Sequence, residues 1–126
     1  MTVQSRRAAR RTALFLLYQW DLTGQPLTSL YEGEVDPFAE QVAEAVVQRA
    51  PELDAVVNGA TEGWPADRLG TVERNVLRIA VMELLDHSVP KEVAINEAVA
   101  LAKRYASDEA GRLVNGILGR VAREAA

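Results

Sequence analysis

The sequence predicts an all-α fold, a compact bundle of six or seven helices, and three observations lead there. Apolar residues recur at helical spacing through every long segment. No stretch alternates apolar and polar residues as a half-buried strand does. The breaks between segments are mostly short and rich in Gly, Pro, Asp and Ser, which favours antiparallel neighbours. At 126 residues the chain can bury a core of its own, and a single domain over residues 1–126 is expected.

The first helix, SRRAARRTALFLLYQWDL, is stopped by Thr23 and Gly24. Ala9, Ala13, Leu16, Leu17 and Trp20 recur at i, i+4, i+7, i+8 and i+11 and make a core-facing stripe. Leu14, Phe15 and Tyr18 lie off that stripe and widen the apolar surface. Residues 23–35 hold Gly24, Pro26 and Gly33 among polar neighbours and read as a loop. Asp36 and Pro37 then pair an N-cap with a proline at the first helical position. The helix that follows buries Phe38, Val42, Ala45, Val46 and Ala50 and turns Glu40 and Glu44 to solvent. Pro51 is expected to interrupt it and start a second short helix that packs Leu53, Val56 and Val57. Gly59, Gly63 and Pro65 mark a connection holding one turn near Ala66–Leu69, with Trp64 as a packed anchor.

The stretch Val72 to Leu85, VERNVLRIAVMELL, is the densest apolar run and contains neither Gly nor Pro. Thr71 is placed to cap it, and Glu73 puts an acid in the first turn, where the helix dipole favours negative charge. Apolar residues lie on nearly every side, the mark of a buried central helix. One residue breaks the pattern: Glu83 shares a face with Val72, Val76 and Ile79. A carboxylate left unpaired there would be costly to bury. Two readings stand: Glu83 lies at the helix edge or pairs with an internal Arg, or the stripe is a docking surface and Glu83 meets a basic group on a partner.

Asp86, His87 and Ser88 end this helix, and Val89–Pro90 turns the chain. In the next helix, KEVAINEAVALAKRY, the stripe is Ala94, Ala98, Leu101, Ala102 and Tyr105, with Lys103 and Arg104 in the last turn, where cations are favoured. Ser107 can cap the final helix, whose Val114, Ile117, Leu118 and Val121 face inward. Gly111, Gly116 and Gly119 lower its helix propensity, and close approach by a neighbouring backbone is the expected return.

Composition narrows the function. There is no Cys, hence no disulfide, thiolate metal site or cysteine nucleophile, and the single His87 argues against a histidine metal cluster or a Ser-His-Asp site. Neither GxxxxGK nor GxGxxG occurs, and no carboxylate pair is set apart in an apolar pocket. A hydrolase using Glu83 as general base would lack a second catalytic group. The chain is therefore expected to be neither an enzyme nor a cofactor carrier. No apolar run approaches a membrane span and no signal peptide is evident, so a cytoplasmic protein without membrane contact is expected. Charge is uneven: Arg6, Arg7, Arg10 and Arg11 precede the first acid, Asp21, and the remainder of the chain is strongly acidic. Arg6 and Arg10 share one helix face, and Arg7 and Arg11 the adjoining one. Such a cluster suits local recognition of phosphate, whose oxygens match guanidinium forks; the bland reading is a solvated helix start.

The pieces RRAARRTALFLLYQWDL, VERNVLRIAVMELL, VPKEVAINEAVALAKRY and LVNGIL together resemble the NusB family of bacterial transcription antitermination factors. The likeness covers the first helix and nearly all of the chain from Thr71 onward; residues 23–70 add little. It implies an all-helical domain of two packed halves, binding to the boxA element of nascent ribosomal RNA together with NusE, a small-subunit ribosomal protein, and assembly of an antitermination complex on RNA polymerase. By the same resemblance Arg6, Arg7, Arg10 and Arg11 are RNA contacts, and so is Arg112. Leu113 stands where the family commonly has an aromatic, and it cannot stack on a base. Ser107, Asp108 and Glu109 lie near that contact. Tyr18 and Glu83 match the family's contacts to NusE, with Val76 and Ile79 beside them on the proposed docking stripe. Two other readings remain: a module that self-associates as a homodimer through Leu14, Tyr18 and Ile79, and an accessory domain for ribosomal RNA modification. A similar helical domain precedes the catalytic domain of some ribosomal RNA cytosine methyltransferases, and a chain ending at Ala126 without a cofactor-binding domain is expected not to be such an enzyme.

Overall fold

The computed structural model describes residues 5–61 and 69–124, and these form six helices. They are α1 (Arg6–Thr23), α2 (Leu27–Leu30), α3 (Pro37–Ala60), α4 (Thr71–Asp86), α5 (Lys91–Tyr105) and α6 (Asp108–Glu124). Among the described residues no helix is long and apolar enough to cross a membrane.

Local chemistry sets most of the boundaries. Ser5 Oγ accepts the backbone N–H of Ala8 and caps α1, while Gly24 ends the helix in the left-handed conformation at φ 70°. Asp36 Oδ1 accepts from the N–H groups of Phe38 and Ala39 at 2.9 and 3.1 Å, with Pro37 at the first helical position as expected. Ser107 Oγ accepts from Ala110 N at 3.0 Å and caps α6. The start of α4 departs from expectation by one residue: Thr71 is already helical and Gly70 holds the cap position. The Glu73 carboxylate folds back over Gly70, where an added Cβ would meet its oxygens at 2.7 and 2.8 Å. A residue with a Cβ there would require the end of the Glu73 side chain to move aside. Residues 23–35 are not wholly loop, since they contain the single turn α2, which buries Leu27.

Pro51 does not divide the second long segment. α3 runs unbroken through it, even though an internal proline removes one helical hydrogen bond at a cost of roughly 3 kcal/mol. Val46, Ala50, Leu53 and Val57 explain why: they form one continuous buried stripe across the proline, and Pro51 itself is exposed. Core burial on both sides outweighs the local penalty. The turn expected at residues 66–68 and the anchor role of Trp64 fall outside the described residues; Leu69 is buried.

α4 is central, as its composition predicts. It packs against α1, α3, α5 and α6, and every residue from Asn75 to Leu84 is buried. Leu14 and Leu17 of α1, Val46, Leu53 and Val57 of α3, and Val114 and Leu118 of α6 converge with Leu77 and Val81 at its surface. The glycines of α6 do not serve close backbone contacts. A Cβ at Gly111 would meet Lys103 Cγ at 2.5 Å, a side chain of α5, and one at Gly116 would meet nothing within 4 Å.

Four polar side chains of α4 lie in this apolar setting, and each has a partner. Asp21 Oδ2 accepts from Arg74 Nε at 2.8 Å, Asn75 Nδ2 at 3.0 Å and Arg78 Nη1 at 3.2 Å. Arg78 also donates two bonds of 2.8 Å to the Asp54 carboxylate, and Asn75 Oδ1 accepts from Arg78 at 3.0 Å. Burial opposes the charge on Arg78, but the hydrogen bonds and charges of Asp54 and Asp21 hold its pKa above the ordinary value. This cluster ties α1, α3 and α4 together. Glu83, the fourth, has a partner elsewhere.

Candidate nucleic-acid interface

The basic residues at the start of α1 divide between two directions, because residues four apart share a face and their neighbours point about 100° away. Arg6 and Arg10 turn toward α3. The Arg6 guanidinium lies 3.8 Å from the centroid of the Phe38 ring while its side chain stays on the surface, a cation–π contact. Arg10 continues inward and is only 3% exposed. Its Nη2 and Nε donate to Glu83 Oε2 at 2.8 and 3.0 Å. Glu83 is itself 4% exposed, so the two charges form a closed, bidentate pair between α1 and α4.

That pair decides between the two readings of Glu83. The carboxylate is paired with an internal arginine and is not presented to a partner. Val76 and Ile79, expected on the same docking stripe, are 1% and 2% exposed and belong to the core. They lie inside because α1, α3, α5 and α6 cover every side of α4. Arg10, expected as an RNA contact, is corrected in the same way: its Nε and Nη2 bond to Glu83 and its side chain is buried. The face expected for self-association also dissolves, since Leu14 and Ile79 are core residues and only Tyr18 of the three is exposed.

Arg7 and Arg11 point the other way. Arg7 stands clear of the surface, and its Nε and Nη2 donate to the Glu97 carboxylate of α5 at 3.1–3.2 Å. The hydrogen bond to Glu97, and then its charge, raise the Arg7 pKa. Arg11 is half-buried and has no ion-pair partner among the described residues. Two turns beyond Arg7, Phe15 meets Tyr105 of α5 edge to face, with ring centroids 5.1 Å apart. α1 and α5 are thus bridged at two levels, Arg7 to Glu97 and Phe15 to Tyr105, by steps of eight residues along each helix. Phe15 is 44% exposed, Tyr18 39% and Leu22 59%, so α1 shows a run of cations followed by a run of apolar residues on one outer face.

Tyr105 is accompanied by a further cation, with the Arg104 guanidinium 5.3 Å from its ring. Leu113 and Arg112 sit on the second turn of α6, half-buried and exposed respectively. The aromatic pair was missed in the sequence because Phe15 reads only as extra apolar surface on α1 and Tyr105 as a member of the α5 core stripe. A helical-wheel count does show Phe15 off its stripe; nothing local could place Tyr105 against it. Among the described residues no group of three or more His, Cys, Asp or Glu could hold a metal ion.

Comparison with known proteins agrees with this architecture. The sequence model of the NusB family matches residues 7–123. The chain is 46% identical to the transcription antitermination protein NusB of Rubrobacter xylanophilus over 121 residues, which cover 90% of this chain and 87% of that one. The corresponding protein of Desulfitobacterium hafniense is 42% identical over 130 residues, covering 93% and 87%. Among solved structures, NusB of T. maritima superposes with a TM-score of 0.85 at 32% identity, covering 98% of this chain and 94% of that one. A crystal structure of the antitermination factors NusB and NusE in complex with dsRNA gives a TM-score of 0.83 at 31% identity, covering 94% and 96%.

Proposed function

The chain belongs to the NusB family of transcription antitermination proteins, which are not enzymes, and from that premise we propose that it binds boxA RNA of nascent ribosomal transcripts together with NusE. It does so in the cytoplasm as one domain over residues 1–126, and helps assemble the antitermination complex on RNA polymerase. The observation that carries the RNA part is the α1–α5 surface, where the cations Arg7 and Arg11 lie beside the part-exposed pair Phe15 and Tyr105. Guanidinium groups supply phosphate contacts, and exposed rings supply faces on which unpaired bases stack. Arg6 contributes from the adjoining face, and Arg112 extends the set on α6. Leu113 contributes apolar contact without stacking. A solved relative that holds NusE and dsRNA supports the same pairing of partners.

NusE is proposed to dock on the apolar end of the α1 face, at Tyr18 with Leu22, which are exposed there beyond Phe15. Glu83 serves that surface indirectly by holding Arg10 and so the seating of α1. Simultaneous engagement of both proteins by one RNA raises affinity and selectivity beyond what the few phosphate contacts give. The same exposed residues favour one other reading, a homodimer that covers Tyr18 and Leu22 in the absence of NusE.

The test measures binding of boxA RNA and of a scrambled RNA of equal length, with and without NusE. Tighter, boxA-selective binding with NusE is expected. Equal binding of both RNAs would overturn the proposal. A dimer that persists in light scattering with saturating NusE would favour self-association instead.

A further inference from the structure

We infer that the outer face of α6 carries a second RNA-binding groove, one that holds the sugar–phosphate backbone of a strand continuing past Arg112 without reading its bases. The groove is open, about 580 Å³ in volume, and lies between the end of α3 at Thr61 and the length of α6. Arg112, Arg120 and Arg123 line it. Their spacing puts them on one face over about 16 Å of helix. No Asp or Glu lines it among the described residues. Arg120 is bonded to the exposed Glu124 at 3.1 Å, while Arg112 and Arg123 have no ion-pair partner among the described residues. Outside the start of α1 the chain has ten basic against 18 acidic residues, so three arginines around a groove with no acid among its described lining residues stand out from their background.

Gly116 adds an independent reason. It sits in the middle of α6, where glycine costs about 1 kcal/mol relative to alanine. No positive φ demands it, and among the described residues no neighbour lies within 4 Å of where its Cβ would stand. Packing among those residues therefore does not explain it. Its effect is to leave bare backbone on the groove floor beside Ile117, where a ribose or phosphate can come closer to the helix than any side chain would allow. Among the described residues no aromatic side chain lines the groove, so those residues offer charge and shape without stacking platforms. Such a surface tracks a nucleic-acid backbone and carries no sequence information.

This inference rests on the RNA reading above and extends it. The test uses the full chain with NusE and two probes, boxA RNA alone and boxA RNA carrying an oligouridine extension. The extended RNA should bind more tightly and with a steeper salt dependence. In the variant Arg120→Gln/Arg123→Gln that gain should disappear, and the slope of log affinity against log salt should flatten by about 0.7 for each phosphate contact removed. Gly116→Leu keeps the charges but fills the floor, and it should also erase the gain while thermal melting shows an intact fold. An extension that adds nothing in the wild type, or a gain that survives both variants, would overturn the groove. Should scrambled RNA bind as well as boxA while the gain is still lost in the variants, the boxA reading falls and the groove stands. Displacement of the extension by a polyglutamate peptide more effectively than by oligouridine of equal charge would give the groove to an acidic protein segment and overturn the RNA assignment.

Discussion

Replacing Glu83 with alanine tests the buried pair most directly. Arg10 and Glu83 are 3% and 4% exposed, and the carboxylate takes hydrogen bonds of 2.8, 3.0 and 3.3 Å from one guanidinium. Removing the carboxylate leaves a guanidinium in the core without its counter-charge, which costs ~3–5 kcal/mol. Against a total stability of roughly 5–15 kcal/mol, that is a large part of what keeps the chain folded. For a domain of this size the melting temperature should fall by ~10–20 °C. The paired replacement Arg10→Met/Glu83→Leu removes both charges and fills the space with apolar atoms, so it should recover most of the loss or exceed the wild type. Thermal and urea unfolding followed by circular dichroism measure both. A Glu83→Ala protein that melts with the wild type would refute the reasoning, because it would mean that Arg10 reaches water at little cost. NusE binding by the folded double variant then separates the roles: retained affinity means Glu83 only positions α1, whereas lost affinity makes it a contact.

Three other predictions follow from the contacts described. Asp21→Ala should cost about 3 kcal/mol, since three donors from α4 converge on Oδ2, and urea unfolding should show a lower midpoint with an unchanged slope. Glu97→Gln removes the carboxylate that holds Arg7, so RNA should bind more tightly at low salt; equal affinity would place the strand away from Arg7. Tyr31 is pushed up to about 12, first by burial and then by the charges of Glu44 and Glu40 and a hydrogen bond to Glu44. The fold therefore favours the neutral phenol, and its contribution is complete below the unfolded value near ~10 and lost as pH rises through the folded value. An ultraviolet titration should show one late-ionising tyrosine that is missing in Tyr31→Phe.

Much of this protein was legible along the chain because helices are governed by near neighbours. The caps at Asp36 and Ser107, the stop at Gly24 and the inward stripes of α1, α5 and α6 all depend on residues within four positions, and the structure shows them where the spacing puts them. The oddity of Glu83 was visible for the same reason, and the family motifs were visible as strings. What spacing cannot report is the identity of a partner from another helix. Glu83 finds Arg10 at a separation of 73 residues, Asp21 gathers Arg74, Asn75 and Arg78, and Phe15 meets Tyr105 only because α1 and α5 lie together. Those contacts sorted the arginines of α1 into Arg10, withdrawn into the core, Arg11, half-buried, and Arg6 and Arg7, left on the surface. Packing between helices also turned Val76 and Ile79 from a docking stripe into core, and burial of Val46, Ala50, Leu53 and Val57 carried α3 through Pro51. In each case the deciding energy is burial or pairing between segments far apart in sequence, and it exists only once the helices have packed.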